Sequence, residues 1–301
     1  MFGVTILGNN SAVPAYDRHP TAQVVTIGGE AILIDCGEGT QFQIKKYLVK
    51  RSKITRILIS HLHGDHYYGL IGLLSSMALV GRSTPLYLYG PPPLGEVLQM
   101  QLKASDSVLP YELIFQPLTK AEPIVTTGKY IIESFPVAHR IPCYGFRITE
   151  NHAPRRIDPE KVKASEIPRA YYEQLQWGAD YTTKDGRVIS NASVTLPGKK
   201  RLSYAYSADT LFTESFLPYI KGADLLYHES TYTEEFTQQA GERFHSTAKQ
   251  AAQMAALAGA SRLLLGHFSS RFKEVDHFEL EAKELFEASE VSKEGVTYLV
   301  R

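Results

Sequence analysis

The run His-Leu-His-Gly-Asp-His at positions 61–66 constrains this chain more than any other feature. It follows the apolar stretch 54–59, which reads as a β-strand, so its donors sit in a loop at a strand end. Gly64 gives that loop freedom to turn. Neutral imidazole and carboxylate are the usual ligands of catalytic zinc. A lone histidine ordinarily packs in a core or on a surface. Four ligand-type side chains, His61, His63, Asp65 and His66, within six positions point instead to a metal centre. Four donors do not complete a two-metal hydrolase site, so more are expected later, each at the end of an apolar strand. Three positions fit: His139 after 135–138, Asp209 after 202–207 and His267 after 263–266.

Patterning elsewhere predicts an α/β sandwich. Strands are expected at 2–8, 23–27, 31–34, 86–89, 124–125, 130–135, 145–148, 202–206, 225–227, 262–265 and 296–300. The Gly28-Gly29 pair reads as a hairpin turn. Helices are expected at 40–49, 70–80 and 248–258, and the prolines 91–93 read as a stop. The 301 residues suffice for a substantial core. Thirty-two basic residues balance thirty-two acidic ones, which disfavours a bulk nucleic-acid coat but permits a local basic patch. Two cysteines, Cys36 and Cys143, make no disulfide framework. No apolar run has the length of a membrane span, and the first residues lack a secretory pattern. A soluble, cytoplasmic protein is the expectation.

Residues 151–201 differ from the rest. They hold ten Lys or Arg against six Asp or Glu, an excess of about +4, and their apolar periodicity is weak. This stretch reads as an insertion carrying a helical piece and a hairpin.

The pattern as a whole resembles the metallo-β-lactamase superfamily and, within it, the ribonuclease Z family. The matching motifs span nearly the whole chain: Leu7-Gly8, Pro14, the stretch 35–41, the histidine run with Tyr68-Gly69-Leu70, Tyr89-Gly90-Pro91, and His139. They continue through 144–147, 185–187, 207–210, His228-Glu229, 245–247, and His267 with Arg271. The resemblance implies an αββα sandwich of two mixed sheets with outer helices, one domain over 1–301. It implies a zinc-dependent endonuclease that removes the 3′ trailer from precursor transfer RNA after the discriminator nucleotide, as a homodimer. One zinc would be held by His61, His63, His139 and Asp209, the other by Asp65, His66, Asp209 and His267. Two metals roughly 3.5–4 Å apart can clamp a phosphodiester during in-line attack. Asp65 would orient or deprotonate the water. His245 would contact the scissile phosphate or protonate the leaving 3′ oxygen, with Glu229 orienting it. A helix start capped by Ser246 or Thr247 is compatible with that role. Asp35 would support the metal loops and Arg271 would meet a phosphate.

The insertion, taken as 151–187, occupies the position of the family's flexible arm, which grips the transfer RNA elbow. Arg155, Arg156, Lys161 and Lys163 would neutralise phosphates, while Tyr171, Tyr172 and Trp177 would pack in the arm or stack on a nucleotide. Family arms carry a Gly-Pro-rich turn. Here 166–172 reads Glu-Ile-Pro-Arg-Ala-Tyr-Tyr, so the turn geometry differs. Asn9-Asn10 also stands where relatives often have Thr-Gly. Two other readings compete: a hydrolase of the same fold acting on a small substrate, and a non-catalytic RNA-binding subunit without metals.

Overall fold

The computed structural model describes residues 2–198 and 200–301; Met1 and Lys199 lie outside it. Two seven-stranded sheets carry the fold. The first is built from β1 (Gly3–Gly8), β2 (Ala22–Ile27), β3 (Glu30–Ile34), β4 (Ile54–Leu58), β5 (Leu86–Gly90) and β6 (Leu113–Pro117), with β18 (Thr297–Leu299) added beside β1. The second holds β7 (Glu122–Thr126), β8 (Tyr130–Val137), β9 (Cys143–Glu150), β14 (Ser203–Tyr206), β15 (Leu225–Glu229), β16 (Leu263–Gly266) and β17 (Ser289–Val291). Both are mixed. β3 to β6 run parallel in one sheet and β14 to β17 in the other, while the remaining pairs are antiparallel.

Burial explains the near-continuous apolar strands. Ile6, Ile32, Ile34 and Leu58 of the first sheet share a core with Ile132, Phe146, Tyr206 and Leu264 of the second. The outer face of the first sheet packs on α1 (Thr40–Lys46), α3 (Leu70–Leu79) and α4 (Pro93–Ala104) through Ile44, Leu73, Met77 and Leu98. The outer face of the second packs on α8 (Leu217–Ile220), α10 (Ala248–Ala258) and α11 (Asp276–Lys283) through Ile220, Ala251, Ala255 and Phe278. A strand covered on both faces has no solvent side to mark with polar residues. The result is the expected four-layer αββα sandwich. No helix among the described residues is long and apolar enough to cross a membrane.

Two local expectations are corrected. Pro91 to Pro93 do stop a strand, but they also open α4, with proline in its first turn. Proline suits that position because its missing N–H would be unpaired there anyway. Residues 64–67 form a one-turn helix, α2 (Gly64–Tyr67), instead of a loop. Gly64 is absent from the left-handed positions. Its role is clearance, since a Cβ there would stand 2.2 Å from the Tyr68 ring.

The insertion is a folded unit. It contains β10 (Arg156–Ile157), α5 (Pro159–Ala164), α6 (Tyr172–Gln176), β11 (Tyr181–Thr182), β12 (Val188–Ile189), α7 (Asn191–Val194) and β13 (Thr195–Leu196). Because β10 pairs with β13, the unit extends past the expected end at 187. Val162, Ile167, Leu175 and Val194 form its own small core.

Candidate metal centre

The donors leave the carboxyl ends of strands, the end where α/β sheets collect their ligands. β4 leads into His61, β8 into His139, β14 into Asp209 and β16 into His267, while β15 ends on Glu229. The first sheet thus supplies His61, His63, Asp65 and His66, and the second supplies the rest. Asp35, Ala208 and His267 take left-handed backbone angles (φ 55, 55 and 61°). Such strain in non-glycine residues is typically held at functional sites by surrounding packing.

One ligand atom from each of His61, His63, His139 and Asp209 lies within 4.8 Å of the others, and the same holds for Asp65, His66 and His267. Asp209 joins the two groups. Its Oδ1 faces His66 Nε2 at 3.4 Å and His267 Nε2 at 3.2 Å, while Oδ2 faces His61 Nε2 at 3.6 Å and His139 Nε2 at 4.0 Å. Asp65 Oδ2 stands 3.6 Å from His66 Nε2 and 3.4 Å from His267 Nε2, and accepts from the Ala12 amide at 2.7 Å.

The donor set fits metal ions. Imidazole nitrogens face one another with no partner between them: His61 Nε2 and His63 Nδ1 at 3.1 Å, His139 Nε2 and His63 Nδ1 at 3.0 Å, His66 Nε2 and His267 Nε2 at 3.3 Å. Unprotonated, these nitrogens would present lone pairs to one another, and a cation bound to both would remove their repulsion. Buried Asp209 Oδ1 has no hydrogen-bond partner. Outer nitrogens are anchored elsewhere, as metal-bound histidines usually are. His66 Nδ1 meets Asp35 Oδ2 at 2.8 Å, His267 Nδ1 meets Thr231 Oγ1 at 2.9 Å, and His139 Nδ1 meets the Phe244 carbonyl at 2.9 Å.

Protonation follows the same logic. Burial pushes His61 well below its ordinary value and His63 to about 4, so both are neutral, the ligand form. For His66, burial alone would lower the pKa, but Asp209, Asp65 and Asp35 outweigh it and hold it well above the usual range. Burial would likewise raise Asp209, but His267 and His66 hold it well below the carboxylate range. A proton on His66 and a metal cation are alternative ways to balance these carboxylates.

Beside the donors, a short helix, α9 (Thr237–Glu242), leads into His245. His245 Nδ1 lies 2.9 Å from Glu229 Oε1 and 4.0 Å from Asp209 Oδ2. Burial opposes its charge, yet Glu229 first, then Asp209 and Asp65, raise it to about 9. Thr247, two residues on, caps α10 in a reciprocal box with Gln250, fixing the approach of this segment. Asp35 accepts from the Ser60 amide at 2.7 Å, Ser60 Oγ at 2.8 Å and Tyr206 hydroxyl at 2.7 Å. Ser60, Tyr206 and Thr231 escaped sequence reasoning. Hydroxyl residues are too common to stand out, although Ser60 directly precedes the histidine run.

All seven metal-type residues, with His245 and Glu229, therefore converge. The remaining candidates lie elsewhere. Arg271 is exposed, its guanidinium 4.5 Å from the Phe236 ring. Within the arm, Arg155 donates to Thr195 Oγ1 at 2.6 Å and Arg156 to the Pro197 carbonyl at 3.3 Å. Lys161 pairs with Asp158 at 3.6 Å, and Lys163 is exposed. Tyr171 packs edge-on to Tyr181, and Trp177 to His152.

Over residues 2–153 the chain matches the family described as Anti-Pycsar protein Apyc1. Ribonuclease Z of Porphyromonas gingivalis is 40% identical over 295 residues, 97% of each chain. Ribonuclease Z of Parabacteroides distasonis is 37% identical over 98% of each chain. Among solved structures, human tRNase Z, short form, aligns over 99% of both chains with a TM-score of 0.73 and 26% identity. The metallo-β-lactamase fold protein YhfI of Bacillus subtilis aligns with a TM-score of 0.70 at 22% identity over 99% of this chain and 98% of its own, a likeness of fold.

Proposed function

The chain belongs to the ribonuclease Z family and is a hydrolase of that type, and from that premise we propose that it removes the 3′ trailer from precursor transfer RNA. The cut falls after the discriminator nucleotide and leaves a 3′-hydroxyl. The observation that carries this reading is the pair of Asp209 oxygens, each facing a different pair of imidazoles, with the His245–Glu229 couple alongside.

Zinc suits this imidazole and carboxylate set. Two ions per chain are proposed, one on His61, His63, His139 and Asp209, the other on Asp65, His66, Asp209 and His267. When bound, they offset the charge on the phosphodiester and lower the pKa of water toward neutrality. The protein's own groups do the rest. Asp65, held by the Ala12 amide, orients the water and accepts its proton. His245, charged through Glu229, contacts the phosphate and donates a proton to the leaving 3′ oxygen. Asp35 keeps the His66 ring in place. Buried free Cys36 and Cys143 are in keeping with a reducing, cytoplasmic setting.

The basic arm suits the transfer RNA elbow. Exposed Arg156, Lys161 and Lys163 are its phosphate contacts, with Arg155 bracing β13, and Arg271 is a contact nearer the catalytic face. Purified zinc-loaded protein is expected to cut a precursor transfer RNA after the discriminator. Replacing residues 154–197 by a short glycine linker is expected to raise KM for that RNA about 10- to 100-fold while sparing a chromogenic small diester. An intact precursor with an efficiently hydrolysed small diester would refute the RNA reading. Equal losses on both substrates would make the arm structural.

A homodimer is also proposed. Its surface is the face of α1 and α3, where Phe42, Leu48 and Val80 are exposed around a cavity of about 1030 Å³ and Leu79, next to Val80 in the chain, is exposed as well. Light scattering of the double variant Phe42→Asp, Leu79→Asp is expected to give a monomer where the parent gives a dimer. A parent that is monomeric at micromolar concentration contradicts this.

A further inference from the structure

Next to the metal donors lies a second, smaller feature. Tyr68 follows α2 directly and is 65% exposed, unusually bare for an aromatic at the rim of an active centre. One edge of its ring rests against Gly64, where any Cβ would come within 2.2 Å of Tyr68 Cε2. The ring is thus braced by the backbone of the metal-binding turn and lies edge-on to Tyr67 with ring centroids 4.9 Å apart, while most of its surface stays open to solvent. A cleft of about 260 Å³ opens beside it, lined by Ala12, Pro20, Glu38, Gly64, Asp65 and Tyr68. Asp65 belongs to both places, so the cleft is continuous with the reacting centre. Glu38, exposed at its edge, offers carboxylate oxygens that accept from N–H groups but repel phosphate. A flat aromatic face with an acceptor beside it suits a nucleobase and not a backbone phosphate.

We propose that the Tyr68 cleft is a base-binding subsite that stacks the first trailer nucleotide, immediately 3′ of the cut. The side of the cut follows from the chemistry. Asp65 borders the cleft and handles the attacking water. In-line displacement puts the leaving 3′ oxygen opposite that water, at His245, so the discriminator lies away from Tyr68. This rests on the RNA reading above.

The test couples the ring to the base. Precursor transfer RNAs are prepared intact, abasic at the first trailer position, and abasic at the discriminator. Each is cut by the parent, Tyr68→Ala and Tyr68→Phe, with a small chromogenic diester and zinc content followed in parallel. On intact RNA, Tyr68→Ala is expected to lower kcat/KM about 10- to 100-fold more than it does on the small diester. Tyr68→Phe recovers most of that loss. On RNA abasic at the first trailer position the excess loss shrinks to less than about threefold. Coupling at the discriminator instead, coupling at neither position, or a matching loss on the small diester with reduced zinc overturns the subsite. If the parent leaves every precursor whole, the RNA reading and this subsite fall together. If the parent cuts and no coupling appears, only the subsite falls.

Discussion

Asp209→Ala is expected to empty the metal centre and abolish hydrolysis in one step. Asp209 is buried, and its two oxygens address the two histidine groups separately. Removing an outer partner of a metal ligand typically costs 10–100-fold in metal affinity or activity. On the proposed assignment, removing a carboxylate shared by both groups takes a direct ligand from each, so the expected loss of activity exceeds roughly a thousandfold, with metal per chain falling from the proposed two toward zero. Elemental analysis after dialysis reads the metal directly. Asp209 is buried beside three imidazoles at 3.2–3.6 Å, so circular dichroism checks that the variant still folds. Unchanged metal content in a folded variant would refute the bridging role.

A second large effect is expected at His245. Its replacement by alanine removes the proposed proton donor and should slow precursor cleavage by about 10²- to 10⁴-fold with metal content retained. Glu229→Gln tests how that donor is kept charged. His245 stands at about 9, raised chiefly by Glu229 against the opposing effect of burial. Acid catalysis needs the protonated ring, so activity should fall as pH rises through the His245 pKa, which cations bound at Asp209 and Asp65 would lower from that value. The amide introduced by Glu229→Gln carries no charge, so His245 would titrate lower, and the alkaline limb of kcat/KM against pH should move to lower pH. An unmoved limb, or one moving upward, means that His245 is not the acid. Loss of metal in His245→Ala would make it a ligand instead.

The clustering of these histidines and aspartates was legible in the sequence because few residue types bind metal and strand ends are the places where a sheet presents them. His61 to His66 are local in sequence, and His139, Asp209 and His267 each follow a buried strand. Partners that act through hydrogen bonds were not legible. Tyr206 reaches Asp35 from across the interface between the sheets, a contact between residues 171 apart that no spacing announces. At Pro91 to Pro93 a breaker pattern hid a helix start, since proline ends one element and suits the first turn of the next. Gly64 was read for backbone freedom, whereas its contribution is the space it leaves for an aromatic ring. The arm closes at β13 because a two-residue strand pairs with another two residues long. Strands that short carry no periodicity to detect.

The distribution of donors between the two sheets has a bearing on how the chain is made. A ribosome that has produced residues 61–66 has delivered four donors. The shared aspartate arrives only at 209, and the last imidazole at 267 of 301. On the proposed ligand set, an unfinished polypeptide holds histidines without the full donor set, which is complete only when the second sheet has been synthesised and has closed on the first. If the proposed two-ion centre is the one that cuts, the order of synthesis withholds that activity from a chain still being translated.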